Sequence, residues 1–278
     1  MTYISPTIPA EPVVLSFGGG VNSTGLLVGM VERSLPVDRI LFADTGGERP
    51  DVYAHVEEVS RWSQSKGYPA VETVRWIRKR TTHIAPRGVF LSLEDFCLKT
   101  HSLPSLAYGM KGCSVKWKAQ VQDGHVKTWE PAREAFARNQ KVVRLLGYDA
   151  DEPQRAAKDR NTKLFRFEYP LIDWDWGRDE CVEAIARAGL RPAAKSACFF
   201  CPAHSELEVA QLGRLYPDLL ARALAIEDNA ESNAGHRVSL QGVRGRPWRE
   251  VWEAAQRGEP LKGRTMDLPC GCFDGSDA

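Results

Sequence analysis

The stretch "LSFGGGVNSTGLL" (15–27) sets three consecutive glycines, then Asn22, Ser23 and Thr24, between an apolar run and the start of a helical pattern. Glycine permits positive φ and close backbone approach to a ligand, and a helix N-terminus offers unpaired amides at the positive end of its dipole. Such a junction suits an anion, phosphate above all, with Ser16, Phe17, Gly18, Gly19, Gly20, Asn22, Ser23 and Thr24 as its binding residues. Neither G-x-x-x-x-G-K-[ST] nor G-x-G-x-x-G is present, so the two better-known phosphate loops are excluded. A tight glycine turn in which Asn22 or Ser23 caps a helix is the alternative without a ligand.

Cysteines form the second constellation: Cys113 in "GCSVKWK", Cys198 and Cys201 in "SACFFCPAH", and Cys270 and Cys272 in "LPCGCFDG". A C-x-x-C held in a loop places two thiolates on one metal, and thiolate-rich sites suit both zinc and iron–sulfur clusters. His204, three residues after Cys201, is either a ligand of a zinc site or the cap of the next helix. Lys111, Lys116 and Lys118 beside Cys113 either neutralise phosphate or an anionic cluster, or are a solvated face. Cys97 and Cys181 fall at apolar positions of helical patterns and read as small core residues.

These residues need a scaffold, and 278 residues with 43% hydrophobic content can build a sizeable core. Apolar strands alternate with amphipathic helices: "PVVLSF", a helix from Ser23 to about Arg33, "RILFAD", a helix from about Asp51 to Lys66, then "AVETVRWI". The pattern resumes with "KVVRLLGYD" (141–149), a short helix near 152–160, the strand "FRFEYPLI" (165–172) and a helix from about Arg178 to Ala188. Alternation of this kind predicts parallel βαβ units and a doubly wound α/β sheet of about five strands. The expected organisation is an α/β domain over 1–190, with an irregular insertion at 78–140, and a helical, cysteine-bearing extension over 191–278. No apolar stretch reaches membrane-spanning length and no secretory signal is evident, so a cytoplasmic protein without a membrane partner is expected. In that reducing setting seven cysteines point to metal or redox chemistry before disulfides. Lysine plus arginine against aspartate plus glutamate is 37 to 36, so any polyanion must be met locally, as at "RWIRKR" (75–80) or "RVSLQGVRGRPWR" (237–249).

"SFGGGVNST" resembles the S-G-G-x-[DN]-S loop of the PP-loop ATP pyrophosphatase and phosphoadenylyl-sulfate (PAPS) reductase superfamily. "LFADTGGERPDVY" (41–53) is similar to its second-strand motif, "LLGYDADEPQRA" (145–156) to its fourth-strand segment, and "YPLIDWDWGRDECVEAIARAGL" (169–190) to its Y-P-L-x-x-W stretch and helix. The resemblance covers roughly residues 13–202 in order. It implies a Rossmann-like, adenine nucleotide alpha hydrolase-like fold that binds ATP with Mg²⁺ at the carboxyl ends of the strands. Asp44, Thr45, Gly147 and Arg155 join the nucleotide residues on this basis, with Asp44 also catalytic. Many members carry Asp where this chain has Asn22; Asp44, Asp149, Asp151 or Glu152 could supply the missing carboxylate.

The separation between Cys113 and the C-x-x-C resembles that of adenylyl-sulfate reductases with a [4Fe–4S] cluster, although Gly112 stands where those relatives have an adjacent cysteine. The implied ligands are Cys113, Cys198 and Cys201; the fourth is Cys272 or Cys270, with Cys272 the preferred choice, or the cluster keeps an open iron, and zinc is the alternative metal. Cys270 matches the nucleophile of the reductases' E-C-G-[LI]-H tail, but Pro269 and Phe273 replace its acidic and histidine neighbours. The expected activity is ATP-dependent, AMP-forming sulfur transfer, with an adenine nucleotide, a sulfur donor and a nucleic-acid substrate as partners. A sulfonucleotide reductase and a non-catalytic, metal-stapled nucleotide-binding protein are the alternatives.

Overall fold

The computed structural model describes residues 10–157, 160–242 and 245–263. Cys270 and Cys272 lie outside them. Five apolar runs, Val13–Phe17 (β1), Arg39–Asp44 (β2), Val71–Arg75 (β3), Val142–Leu146 (β4) and Phe165–Glu168 (β5), form one sheet in the order β3-β2-β1-β4-β5. Every pairing is parallel. The inner strands are apolar nearly throughout because helices cover both faces, as a parallel sheet requires. From β1 the chain steps outward to β2 and β3, then returns to β4 on the other side. The strand order therefore reverses between β1 and β4, where a crevice opens at the strands' carboxyl ends.

Helices α1 (Val21–Glu32) and α2 (Pro50–Ser65) follow β1 and β2, and α7 (Arg178–Arg187) follows β5. Gly25 and Gly29, one turn apart, bring α1 close to its neighbours: a Cβ on Gly25 would stand 2.6 Å from the Cβ of Cys181. Cys181 is fully buried there, as its helical position predicts. The strand expected over 165–172 is shorter, because Pro170 lacks an amide to donate and opens a four-residue helix, α6 (Pro170–Asp173). Near 152–160 the described residues form a 3₁₀ turn, Pro153–Arg155, in place of the expected helix.

The insertion is not irregular. It contains α3 (Leu93–Thr100), a 3₁₀ turn (Ser105–Tyr108), a π-helix (Cys113–Ala119) running into α4 (Gln120–Val126), and α5 (Glu130–Ala137). These pieces are short and broken by glycine and proline, so their apolar periodicity never runs long enough to stand out. Beyond the Cys198–Cys201 loop come α8 (Glu206–Leu215), α9 (Pro217–Ala234) and α10 (Trp248–Gln256). Leu93, Cys97 and Trp117 of the insertion share one hydrophobic core with Phe199, Phe200, Ile226 and Trp248, so α3 and the π-helix pack with the C-terminal helices, whereas Val126 of α4 and Ala132 of α5 pack on the sheet. Cys97 is buried in it, as expected. Among the described residues no helix is long and apolar enough to cross a membrane.

Candidate functional site

The sheet's reversal point holds a cavity of about 410 Å³. Its floor is the β1–α1 junction, where Ser16, Phe17, Gly18, Gly20, Asn22 and Ser23 face the space, with Gly147 and Arg155 from the end of β4 beside them. Three structural reasons place the loop there. Gly19 takes φ +77°, a conformation that L side chains resist, and its missing side chain leaves room for Val52 and Val56. A Cβ on Gly147 would meet the Asn22 backbone at 3.1 Å, so glycine lets β4 approach the helix start. No acidic residue of α1 itself occupies its first turn, so the helix does not cap its own dipole with a carboxylate.

Not every predicted residue reaches the cavity. Thr24 is buried behind it, with its hydroxyl on the Gly20 carbonyl at 2.9 Å and 3.0 Å from Nε2 of His55. Asp44 accepts hydrogen bonds from the Tyr53 hydroxyl (2.7 Å), the Gly46 amide (2.7 Å) and Arg75 Nε (2.8 Å), and does not line the space. Thr45 faces a second, smaller cavity instead. Arg155 is nearly buried, pairs with Glu152 and stacks over Tyr148 at 4.2 Å.

Asn22 carries an unforeseen contact. Its amide nitrogen donates to Asp149 Oδ2 at 2.6 Å, and Asp149 is only 3% exposed, with Oδ1 buried and without a hydrogen-bond partner among the described residues. Burial, reinforced by Asp151, pushes the Asp149 carboxyl above the usual carboxylate range, while the Asn22 bond opposes the shift. Because an ionised carboxylate can only accept, the Asn22 amide nitrogen must face Asp149.

Arg144 was also missed. It projects from the middle of β4 and is 2% exposed; it donates to Ser16 Oγ at 2.9 Å, Gln122 Oε1 at 2.6 Å and Asp123 Oδ1. An arginine inside the apolar run "VVRLL" is the signal that could have marked it, since a buried guanidinium needs partners or a ligand. Gln122 and Asp123 come from α4, so the insertion closes the cavity over the sheet. Phe42, Val115, Leu146 and Phe167 give that end apolar walls.

The smaller cavity gathers Cys113, Cys198 and Cys201 from two separate segments. It shares Lys111, Ser114, Lys118 and Ser196 with the larger cavity, so the two cavities adjoin. Cys198 Sγ is 3.1 Å from the Thr45 hydroxyl, and Cys113 Sγ is 3.1 Å from the Ser105 hydroxyl. Burial, and the charge of Glu48, push the Cys198 thiol up to about 12. Lys118 pairs with the buried Glu48 at 3.3 Å. His204 is buried behind the loop, 5.6 Å from Trp248 between ring centres. Among the described residues no three His, Cys, Asp or Glu side chains stand close enough to hold a metal ion. Three thiols turned to one cavity nevertheless match the donor chemistry of a thiolate-ligated cluster or zinc site. Compared with models of known protein families and with curated proteins, the chain matches none.

Proposed function

We propose that the chain is an ATP pyrophosphatase-type enzyme that adenylates an acceptor for sulfur transfer. The carrying observation is the contiguity of two cavities: a glycine-floored one at the sheet's reversal point and a three-thiol one that shares its wall. In this reading the adenine lies between Phe42, Val115 and Phe167, and the phosphates lie on the first-turn amides of α1. An acceptor oxygen attacks the α-phosphorus, the bond to the bridging oxygen breaks, and pyrophosphate leaves with the electron pair. The amides of the glycine loop and α1 stabilise the charge that gathers on the leaving group, and Arg155 and Lys111 add to the field. A sulfur nucleophile then displaces AMP from the acceptor.

Cys113, Cys198 and Cys201 would hold a [4Fe–4S] cluster or zinc, with Cys272 as the fourth ligand. When bound, the cluster would supply a place to carry sulfide. Cys270 is the proposed mobile thiol. Asp44 enters as a positioning residue, since its three donors fix the turn after β2. Incubation with ATP, Mg²⁺, a sulfide source and a mixed pool of RNA and DNA, and in parallel with an adenylyl sulfate and a dithiol reductant, tests the reading. AMP and pyrophosphate in equal amounts are expected, whereas release of sulfite from an adenylyl sulfate, without cleavage of ATP, would replace it with a reductase.

A further inference from the structure

Charge is nearly balanced over the whole chain but not over the stretch that runs from β3 to the start of α4. From Thr73 to Gln122 there are nine lysines and arginines and only two acidic residues, Glu94 and Asp95. Elsewhere arginines are mostly paired with acids, as Arg187 is with Glu32, Arg191 with Glu58 and Arg249 with Asp228. Arg78, Lys79, Arg80, Arg87 and Lys99 form no ion pair with any described acidic side chain, and all but Arg78 are exposed.

The segment that carries them is ordered by its backbone. Beyond β3 the chain turns back on itself: Ile77 and Phe90 form an antiparallel bridge, Arg78 N donates to the Val89 carbonyl at 3.1 Å, and Gly88 N to the Arg78 carbonyl at 2.9 Å. Arg75, paired with Asp44 and 5.1 Å from the Phe90 ring, roots this arm on the sheet. The arm leaves the carboxyl end of β3, the edge of the sheet on which the large cavity opens. Trp76 joins it to the site, because Arg78 lies 5.3 Å and Lys116 4.8 Å from the same ring. Two cations on one indole repel each other: burial first, and the charge of Arg78 second, hold the Lys116 ammonium below its ordinary range. Lys111 and Lys118 continue the positive track into the wall shared by both cavities.

We infer that the arm over 76–90 is a landing surface for a nucleic-acid backbone, which it leads along Lys116 to the mouth of the nucleotide cavity. Regularly spaced phosphates fit Arg78, Lys79, Arg80 and Arg87, cations that pair with no described acidic side chain, and their binding releases counterions. That the bound strand is the acceptor rests on the adenylation reading; the binding itself does not.

Fluorescence anisotropy with labelled single-stranded DNA and RNA, measured across a salt series, tests this on the full chain. The triple variant Lys79→Glu/Arg80→Glu/Arg87→Glu changes three exposed side chains that make no described side-chain hydrogen bond, so it should melt as the parent does. The parent should bind at least one of the two strands, and the variant should lose about tenfold or more in affinity, with a salt slope shallower by about 2. ATP binding, measured separately, should stay unchanged in the variant. Equal oligonucleotide affinity of parent and variant would overturn the inference, as would no binding by the parent, or equal binding of polyglutamate of matched charge. Loss of ATP binding in the parent would instead remove the adenylation reading and leave the landing surface standing.

Discussion

At Asn22 the glycine loop presents an amide, and the carboxyl sits behind it on Asp149. The arrangement fixes the direction of the amide: nitrogen toward Asp149, so the carbonyl is the end left for a ligand or its cation. Asp149 meanwhile stays buried with one oxygen unpartnered, a cost that functional sites tolerate. Asp149→Asn should therefore stabilise the ligand-free protein at neutral pH by roughly 1 kcal/mol. The sign follows from linkage: a carboxyl raised in the folded state makes the wild type less stable as pH rises through its folded value. The variant's advantage should thus shrink toward acid pH and grow toward neutrality. The same change should weaken Mg²⁺-dependent nucleotide binding more than metal-free binding. Thermal melts across pH, together with titrations with and without Mg²⁺, check both; a lower melting temperature for Asp149→Asn at pH 7 would show that the carboxylate is structural.

Two elements converge on the thiol cavity, the π-helix Cys113–Ala119 and the loop Cys198–Cys201. A π-turn is a costly irregularity that recurs at functional sites, and here it supplies Cys113, Ser114 and Lys118 together. Replacing Cys113, Cys198 or Cys201 singly by serine should remove most of the iron, or zinc, of anaerobically purified protein, because a hydroxyl is a poor ligand for these metals. Serine at Cys181, walled between α1 and α7, should leave metal content unchanged. Metal analysis with a visible spectrum distinguishes these outcomes, and equal metal in all four variants would make the three thiols plain packing residues. The elements of the sheet were legible because their apolar runs and glycine junctions are local signals. The insertion was not: α3 and the π-helix owe their place to contacts with the C-terminal helices, and α4 and α5 to the sheet, all far away in sequence.

At the scale of the molecule, the sheet order β3-β2-β1-β4-β5 decides where a ligand can go. Sequence alternation announced a parallel sheet, and the glycine loop marked the end of β1. Which of its neighbours would face the space was not readable, since that depends on pairing and side-chain direction. Asp44, at the end of β2, turns to Tyr53 and Arg75, while Arg144, hidden mid-strand in β4, reaches the base of the cavity. The insertion and the Cys198–Cys201 loop then close the site with Gln122 and the thiols. Calorimetric titration of ATP with Mg²⁺ into the full-length protein and into Val115→Trp, which fills the cavity from an exposed position on the π-helix, tests this account most directly. It predicts one site per chain with a Kd in roughly the micromolar range, weakened at least about tenfold in the variant. Saturable binding that Val115→Trp leaves untouched, or no binding by the parent protein, would contradict it.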